Sequence, residues 1–307
     1  MSSNSVSYPK CTSSFTFTHE RRFLMRIVDA RGKFSLRNEG ALEVFFIGVG
    51  SAFALKHFQT NVILVKGNTH IAVDFGMTAP RALKETAGLE VTDLETVLPT
   101  HSHADHVGGI ECVGLMSRYF GIPRLGKKKP VFIINEEYQE ILWDRTLRGG
   151  MEWNEEEQTS QSLLGFCDYF DVVRPQWLKH QPREILSVNY GGIEIEMFRT
   201  MHIPDSARGW QDSFVSFGLW VDRRVFISVD TRFDRDLIDL YAHRSEVMFH
   251  DVQFFPGAVH APLADLKTLP EDIKRKMHLM HYSDDWERQD ISGFAGWTLQ
   301  GHRYIFD

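Results

Sequence analysis

The pattern His101-x-His103-x-Asp105-His106 puts three imidazoles and a carboxylate within six residues. Imidazole nitrogen and carboxylate oxygen both suit a divalent transition metal. The motif follows a short apolar run, 95–98, that reads as a strand, with Thr100 between them. Where a strand ends the chain turns, so alternate side chains converge on one point while the next pair serves a second ion. A His-rich loop in solvent is the competing reading, and three His with an Asp in this order argue against it. A two-metal centre takes about seven or eight protein contacts, so more ligands must come from further along. Three candidates each end a predicted strand: His202 after 193–200, Asp230 after 225–229 and His281 after 277–280. Strand ends are held by a rigid scaffold. Asp230 is the natural bridging carboxylate. Alone, His202 or His281 would read as a hydrogen-bonded structural histidine and Asp230 as a helix cap. With the first motif they read as ligands.

Those donors need a scaffold, and the hydrophobic pattern supplies one. Strands are expected at 42–47, 61–65, 70–73, 95–98, 131–134, 193–199, 214–221, 225–229, 247–249, 277–280 and 304–306. Helices are expected at 79–87, after His106 as far as Phe120, and at 235–243 and 263–269. A short hairpin is expected at 23–34, and residues 1–18 read as a polar tail. Segment 135–182 breaks the rhythm: Glu136, Glu137, Glu140, Asp144, Glu152, Glu155, Glu156 and Glu157 interleave with Trp143, Leu147, Trp153, Leu163 and Phe166. It reads as a mostly helical, acidic insertion. The alternation of strands and helices predicts an α/β fold with an αββα layering of two mixed β-sheets flanked by helices. Residues 1–40 are expected to be an N-terminal extension and 41–307 one domain carrying the insertion.

Composition narrows the class. The 307 residues hold 34 Lys and Arg against 41 Asp and Glu, a net charge of −7, which excludes a generally basic nucleic-acid binder. At 43% hydrophobic and 12% aromatic, the chain has ample material for a packed interior. Cys11, Cys112 and Cys167 are too few and scattered for a disulfide framework or a cysteine-ligated zinc site. The odd count fits a reduced, cytoplasmic protein. The first 18 residues lack the apolar core of a signal peptide, and no stretch approaches the ~18 apolar residues of a membrane span.

The order Gly48-Val49-Gly50-Ser51-Ala52, Asp74-Phe75-Gly76, Thr100 to His106, His202, Ser228-Val229-Asp230-Thr231 and His281-Tyr282-Ser283 resembles the metallo-β-lactamase superfamily. More narrowly, it is similar to the ribonuclease Z-like phosphodiesterase branch, through Asp230 in its Val-Asp-Thr context, His250-Asp251 and His260. The resemblance runs from about Leu42 to Asp285. It implies two divalent ions, zinc or manganese, with His101, His103 and His202 on one, Asp105, His106 and His281 on the other, and Asp230 between. It further implies that a metal-bridging hydroxide attacks phosphorus. Asp105 would orient or deprotonate that water, and His260, held by Asp251, would protonate the leaving oxygen. Two departures stand out: Asp251 is one methylene shorter than the branch's Glu, and Ala261 replaces an expected hydroxyl residue. His250 would lie behind the ligands or be structural. Seven of the fourteen histidines thereby acquire roles.

The branch includes transfer-RNA processing enzymes, which carry a Gly/Pro-rich basic arm, and phosphodiesterases for cyclic nucleotides, among them the anti-Pycsar type. Here the corresponding segment, 135–182, is acidic and would repel phosphate. Arg124 and 127–129 form a compact basic run and read as a solvated loop. The expectation is therefore a small phosphodiester substrate such as a cyclic nucleotide, RNA being less favoured, with the insertion's apolar residues serving as a lid or dimer contact. Homodimerisation is expected by resemblance, and no membrane partner. The alternatives are a ribonuclease Z-like 3′ endoribonuclease, a lactonase or thioester hydrolase, and a non-catalytic metal-binding protein of the same fold.

Overall fold

Every residue of strand Leu42–Gly48 is buried, on both faces. A strand apolar on both sides needs cover above and below. A computed structural model, which describes residues 25–32, 34–153, 163–257 and 259–307, shows how that cover is built. The strands in chain order are β1 (Arg26–Asp29), β2 (Leu42–Gly48), β3 (Asn61–Lys66), β4 (Thr69–Val73), β5 (Thr96–Leu98), β6 (Val131–Ile133), β7 (Asp171–Val173) and β8 (Gln176–Lys179). They continue with β9 (Ile185–Tyr190), β10 (Ile193–Arg199), β11 (Phe217–Val221), β12 (Val225–Ile227), β13 (Val247–Asp251), β14 (Met277–Met280), β15 (Gly296–Trp297) and β16 (His302–Phe306). One sheet runs β1-β16-β2-β3-β4-β5-β6-β7 and the other β15-β14-β13-β12-β11-β10-β9-β8.

The two sheets share one core. Phe46 of the first meets Phe249 of the second with ring centroids 4.8 Å apart, and Tyr304 meets Phe249 edge-on at 4.8 Å. Helices close the outer faces. Helix Arg235–Ala242 starts at Asp234, whose carboxylate accepts from the Leu237 amide, and buries Leu237, Ile238, Tyr241 and Ala242. Its Tyr241 ring packs 4.7 Å from Phe198 of β10. The predicted αββα architecture is the one observed.

Both sheets are mixed, and their direction decides where a site forms. Strands β4 to β7 are parallel, as are β12 to β15. β10 and β11, and β11 and β12, pair antiparallel, so β10 points the same way as β12. The C-terminal ends of β4, β5, β10, β12 and β14 therefore gather at one rim, where open α/β sheets bind ligands.

Three expectations change. The predicted hairpin at 23–34 is, over its described residues, the single strand β1, which pairs with β16 from the other end of the chain. The part of it before Met25, the 1–18 tail, and Glu155 to Glu157 lie outside the described residues. Segment 135–182 is less helical than expected. Helices from Glu136 to Met151 and at Phe166–Tyr169 give way to β7 and β8, the edge strands of the two sheets. Leu147 and Phe166 lie in the common core and Trp143 packs against it, so these side chains build the interior rather than a lid. Trp153 alone of the insertion's named apolar residues is largely exposed. Strand β9 lacks a counterpart in the prediction, although Gly191-Gly192, both at positive φ, mark its hairpin with β10.

Gly76 shows how tightly the rim is packed. A methyl group there would lie 1.8 Å from the Asp105 carbonyl oxygen, whereas one on Gly67, in the β3–β4 turn, meets open space. Gly76→Ala is expected to cost at least about 2 kcal/mol. Gly67→Ala, strained only by its positive φ, is expected to cost about 1 kcal/mol. Thermal unfolding of the two variants side by side checks the difference, and equal losses would contradict the packing argument.

Candidate metal centre

The rim brings the sequence-predicted donors together. His101, His103, His202 and Asp230 place one ligand atom each within 4.8 Å of one another, and so do Asp105, His106, Asp230 and His281. A third group, Asp230, Asp251, His260 and His281, meets the same limit. Asp230 belongs to all three. Its Oδ2 lies 3.3 Å from His106 Nε2, 3.5 Å from His202 Nε2 and 3.6 Å from His101 Nε2, and Oδ1 is 3.6 Å from His281 Nε2. His250 is not among these donors. It is fully buried, and its Nδ1 donates to the carbonyl of Asp251 at 2.9 Å.

Local hydrogen bonds fix which nitrogen faces inward. Thr100 Oγ1 donates to Asp74 Oδ2 at 2.8 Å, so its oxygen accepts from His101 Nδ1 at 3.1 Å and leaves His101 Nε2 for the centre. His106 Nδ1 donates to Asp74 Oδ2 at 2.7 Å, and His202 Nδ1 to the Val259 carbonyl at 2.8 Å. Both therefore turn Nε2 inward. His103 Nδ1 sits 3.2 Å from His101 Nε2 and 3.1 Å from His202 Nε2. Asp74 thus steers both halves of the motif. The sequence carried a signal for it, an Asp ending a strand in Asp74-Phe75-Gly76, but not its partners, which lie 26 and 32 residues away.

The donor set fits divalent cations. Burial pushes His101 well below its ordinary range, reinforced by the charge of His106, and pushes His202 down to about 4. Both are held as the neutral imidazole that ligates metal. Burial acts the same way on His106, but the Asp230, Asp105 and Asp74 carboxylates outweigh it and raise that ring well above the usual range. Burial alone would raise Asp105 and Asp230, and surrounding imidazoles, His106 foremost, hold both down. Yet His106 Nε2 and Asp230 Oδ2 are buried without a hydrogen-bond partner. Imidazole nitrogens and buried carboxylate oxygens converging with donor atoms left without a hydrogen bond are an arrangement a divalent cation satisfies.

Beside the donors stands a second pair. His260 Nδ1 donates to Asp251 Oδ2 at 2.8 Å, and Asp251 also accepts from the Thr231 amide. The His260 side chain is 20% exposed and lines a cavity of about 540 Å³ that also touches His281, Phe53, Val252, Phe255 and Val259. The backbone at the rim is strained: Asp74, Val229 and His281 have φ of 63°, 52° and 59°. Such conformations cost non-glycine residues roughly 1–3 kcal/mol and cluster at functional sites.

Two packed mixed sheets, outer helices and this rim of His and Asp define a metallo-β-lactamase-fold protein with a candidate metal site. The fold is shared with a diphosphatase from the PhnP family (TM-score 0.59, 12% identity, 87% of this chain and 98% of that one). It is shared as well with the short form of human tRNase Z (TM-score 0.55, 15% identity, 80% and 94%). A family model described as anti-Pycsar protein Apyc1 matches residues 42–304. The anti-Pycsar protein Apyc1 of Paenibacillus xerothermodurans is 36% identical over 270 residues, 87% of this chain and 98% of its own. That of Bacillus phage 010DV004 is 32% identical over 278 residues, covering 86% and 98%. The chain belongs to the anti-Pycsar Apyc1 family.

Since Asp74 orients His101 through Thr100 and His106 directly, Asp74→Asn is expected to weaken metal retention by about 10–100-fold. Elemental analysis after dialysis against a graded chelator reads this. Retention equal to that of the unsubstituted protein would remove Asp74 from the centre.

Proposed function

We propose that this chain is a two-metal phosphodiesterase that hydrolyses a small phosphodiester, foremost a cyclic mononucleotide. The observation that carries the reading is the placement of His260. It is fixed at Nδ1 by Asp251, lies 4.6 Å from the His281 ring and 5.0 Å from the His202 ring, and faces the cavity. Two bound divalent ions, zinc in the first instance and manganese as the alternative, would supply an activated water and neutralise the diester. His101, His103 and His202 would hold one ion, Asp105, His106 and His281 the other, and Asp230 both. Asp105 Oδ2 lies 3.2 Å from His106 Nε2 and 3.2 Å from His281 Nε2, at the junction where it would orient the water or take its proton. His260 would give a proton to the leaving oxygen while Asp251 holds the ring. A lactonase or thioester hydrolase would leave His260 and Asp251 idle.

Family membership supports a cyclic nucleotide, the substrate class the resemblance implies for the anti-Pycsar type. Charge supports it too. Of the basic run at 127–129, Lys127 pairs with Asp93 at 3.2 Å and Lys129 with Asp171 at 2.8 Å, so these two are already engaged and offer little to an RNA backbone. The reading includes a homodimer, with Met116, Phe120, Ile122 and Leu125 as exposed apolar residues on neighbouring helical turns. It also includes action in the cytoplasm, consistent with unpaired Cys112 and Cys167. Among the described residues no helix is long and apolar enough to cross a membrane.

Purified protein loaded with zinc or manganese is expected to hydrolyse cyclic mononucleotides and to lose that activity to a chelator. His260→Ala should lower kcat by about 10²–10⁴-fold with its metal content intact. Asp105→Ala should lose far more activity than thermal stability. Cleavage of precursor transfer RNA alone would replace the reading with an endoribonuclease. Fewer than about one ion per chain after gentle purification would point to a non-catalytic fold.

A further inference from the structure

The two donor sets are held by different means. In the set of Asp105, His106 and His281, Asp74 grips His106 Nδ1, while His281, whose outward Nδ1 is buried without a hydrogen-bond partner among the described residues, packs against the rings of His106 and His260 at 5.8 and 4.6 Å. In the three-histidine set, His101 and His202 are steered by hydrogen bonds from their outward nitrogens, to Thr100 Oγ1 and the Val259 carbonyl. His103 has no such bond among the described residues, since both of its contacts are made by the inward Nδ1. What lies against it instead is the half-buried ring of Phe214, 5.4 Å between centroids and tilted 33°. The same ring meets His101 edge-on at 5.7 Å and His202 at 5.8 Å. Among the described residues it touches no other histidine ring.

The position of Phe214 is itself fixed. Its amide donates to the Ile203 carbonyl at 2.9 Å, tying it beside His202. The buried guanidinium of Arg199 donates to the carbonyls of Ser213 at 3.0 Å and Phe214 at 3.3 Å. Three residues on, the Phe217 amide donates to Thr100 O at 3.2 Å, beside His101. A ring anchored to the backbone next to two of the donors and packed on all three can hold their planes without a hydrogen bond. It also keeps water from the outer side of the cluster, and the apolar shell of a metal site controls its local dielectric.

The geometry points to Phe214 as the positioning residue of the three-histidine site: it stands in for the missing hydrogen bond to His103 and sets the affinity of that site apart from its neighbour's. This rests on the two-ion reading above but not on the identity of the substrate.

The test is metal binding. Metal-free protein is titrated with Co²⁺ against a competing chelator, following visible absorption, with circular dichroism of each metal-free variant as the fold check. Phe214→Ala is expected to weaken one of the two ions by about 10–100-fold and leave the other within about twofold. The absorption bands of the weakened ion should shift as the imidazole geometry loosens. Phe214→Tyr, which keeps the ring, should restore both. Phe214→Leu, apolar but without a ring, should fall between, and serves in place of Phe214→Ala if that variant does not fold. In a His281→Ala background, which removes a donor from the other set, the remaining ion should carry the whole Phe214 effect. Equal weakening of both ions, no change in either, or full affinity in Phe214→Leu would overturn the assignment while leaving the two-ion reading intact. Absence of Co²⁺ binding by the unsubstituted protein would overturn both.

Discussion

A carboxylate sealed away from water is a cost that the surroundings must offset. Asp230 sits at the end of β12, where the two sheets and their loops leave it almost no solvent. It can stay ionised there because positive or polarised nitrogens close round it. Imidazoles of His101, His106, His202 and His281 approach within 3.6 Å, and His260 within 3.9 Å. The rest of the site follows from that need. The histidines must be delivered from several strand ends and turned the right way, and at His101, His106 and His202 the far nitrogen is given a hydrogen-bond partner.

The fold meets those demands by direction rather than by any single loop. Parallel strands in both sheets, together with β10, point their C-terminal ends at one rim, so residues as far apart in the chain as Asp105 and His281, 176 positions, meet there. The final adjustment is made by backbone strain. Asp74, Val229 and His281 all adopt left-handed conformations at the last turn before or at a working residue. Val229 is β-branched, for which this conformation is a genuine outlier. A tightly packed core holds such residues in place because the alternative would open the sheet ends above them.

How much of this was legible depended on range. The motif from His101 to His106 is local, so its chemistry could be read from spacing. His202, Asp230 and His281 were legible because each closes an apolar run whose strand character is itself local. Asp74 was visible as a strand-ending residue, but its role depends on the β4–β5 register, which no local pattern reports. Phe214 was read as the first residue of a strand that in fact begins at Phe217. It belongs to the loop that carries His202, and that placement is what brings it to the histidines. At the periphery the misreadings share a cause. β1 is an exposed edge strand whose partner comes from the far end of the chain, so its sequence carries little alternation to recognise. β7 and β8 are short edge strands in an acidic stretch, where few buried positions remain to mark a period.

Strand ends that carry chemistry also dictate where the chain can change length. Side chains on a strand alternate between faces with a period of two, so one residue more or less reverses everything beyond it. Between Ile227 and Asp230 the path is already committed, through a left-handed Val229, to presenting the carboxylate at the rim. An insertion or deletion there would break the left-handed turn that presents the carboxylate, and the same holds between Met280 and the left-handed His281. Turns at the other end of the sandwich, such as Gly67 between β3 and β4 or Gly191-Gly192 between β9 and β10, lie beyond the reach of that parity. A change of chain length is therefore costly at the rim and cheap at the other end, so the two ends of one sandwich obey different rules.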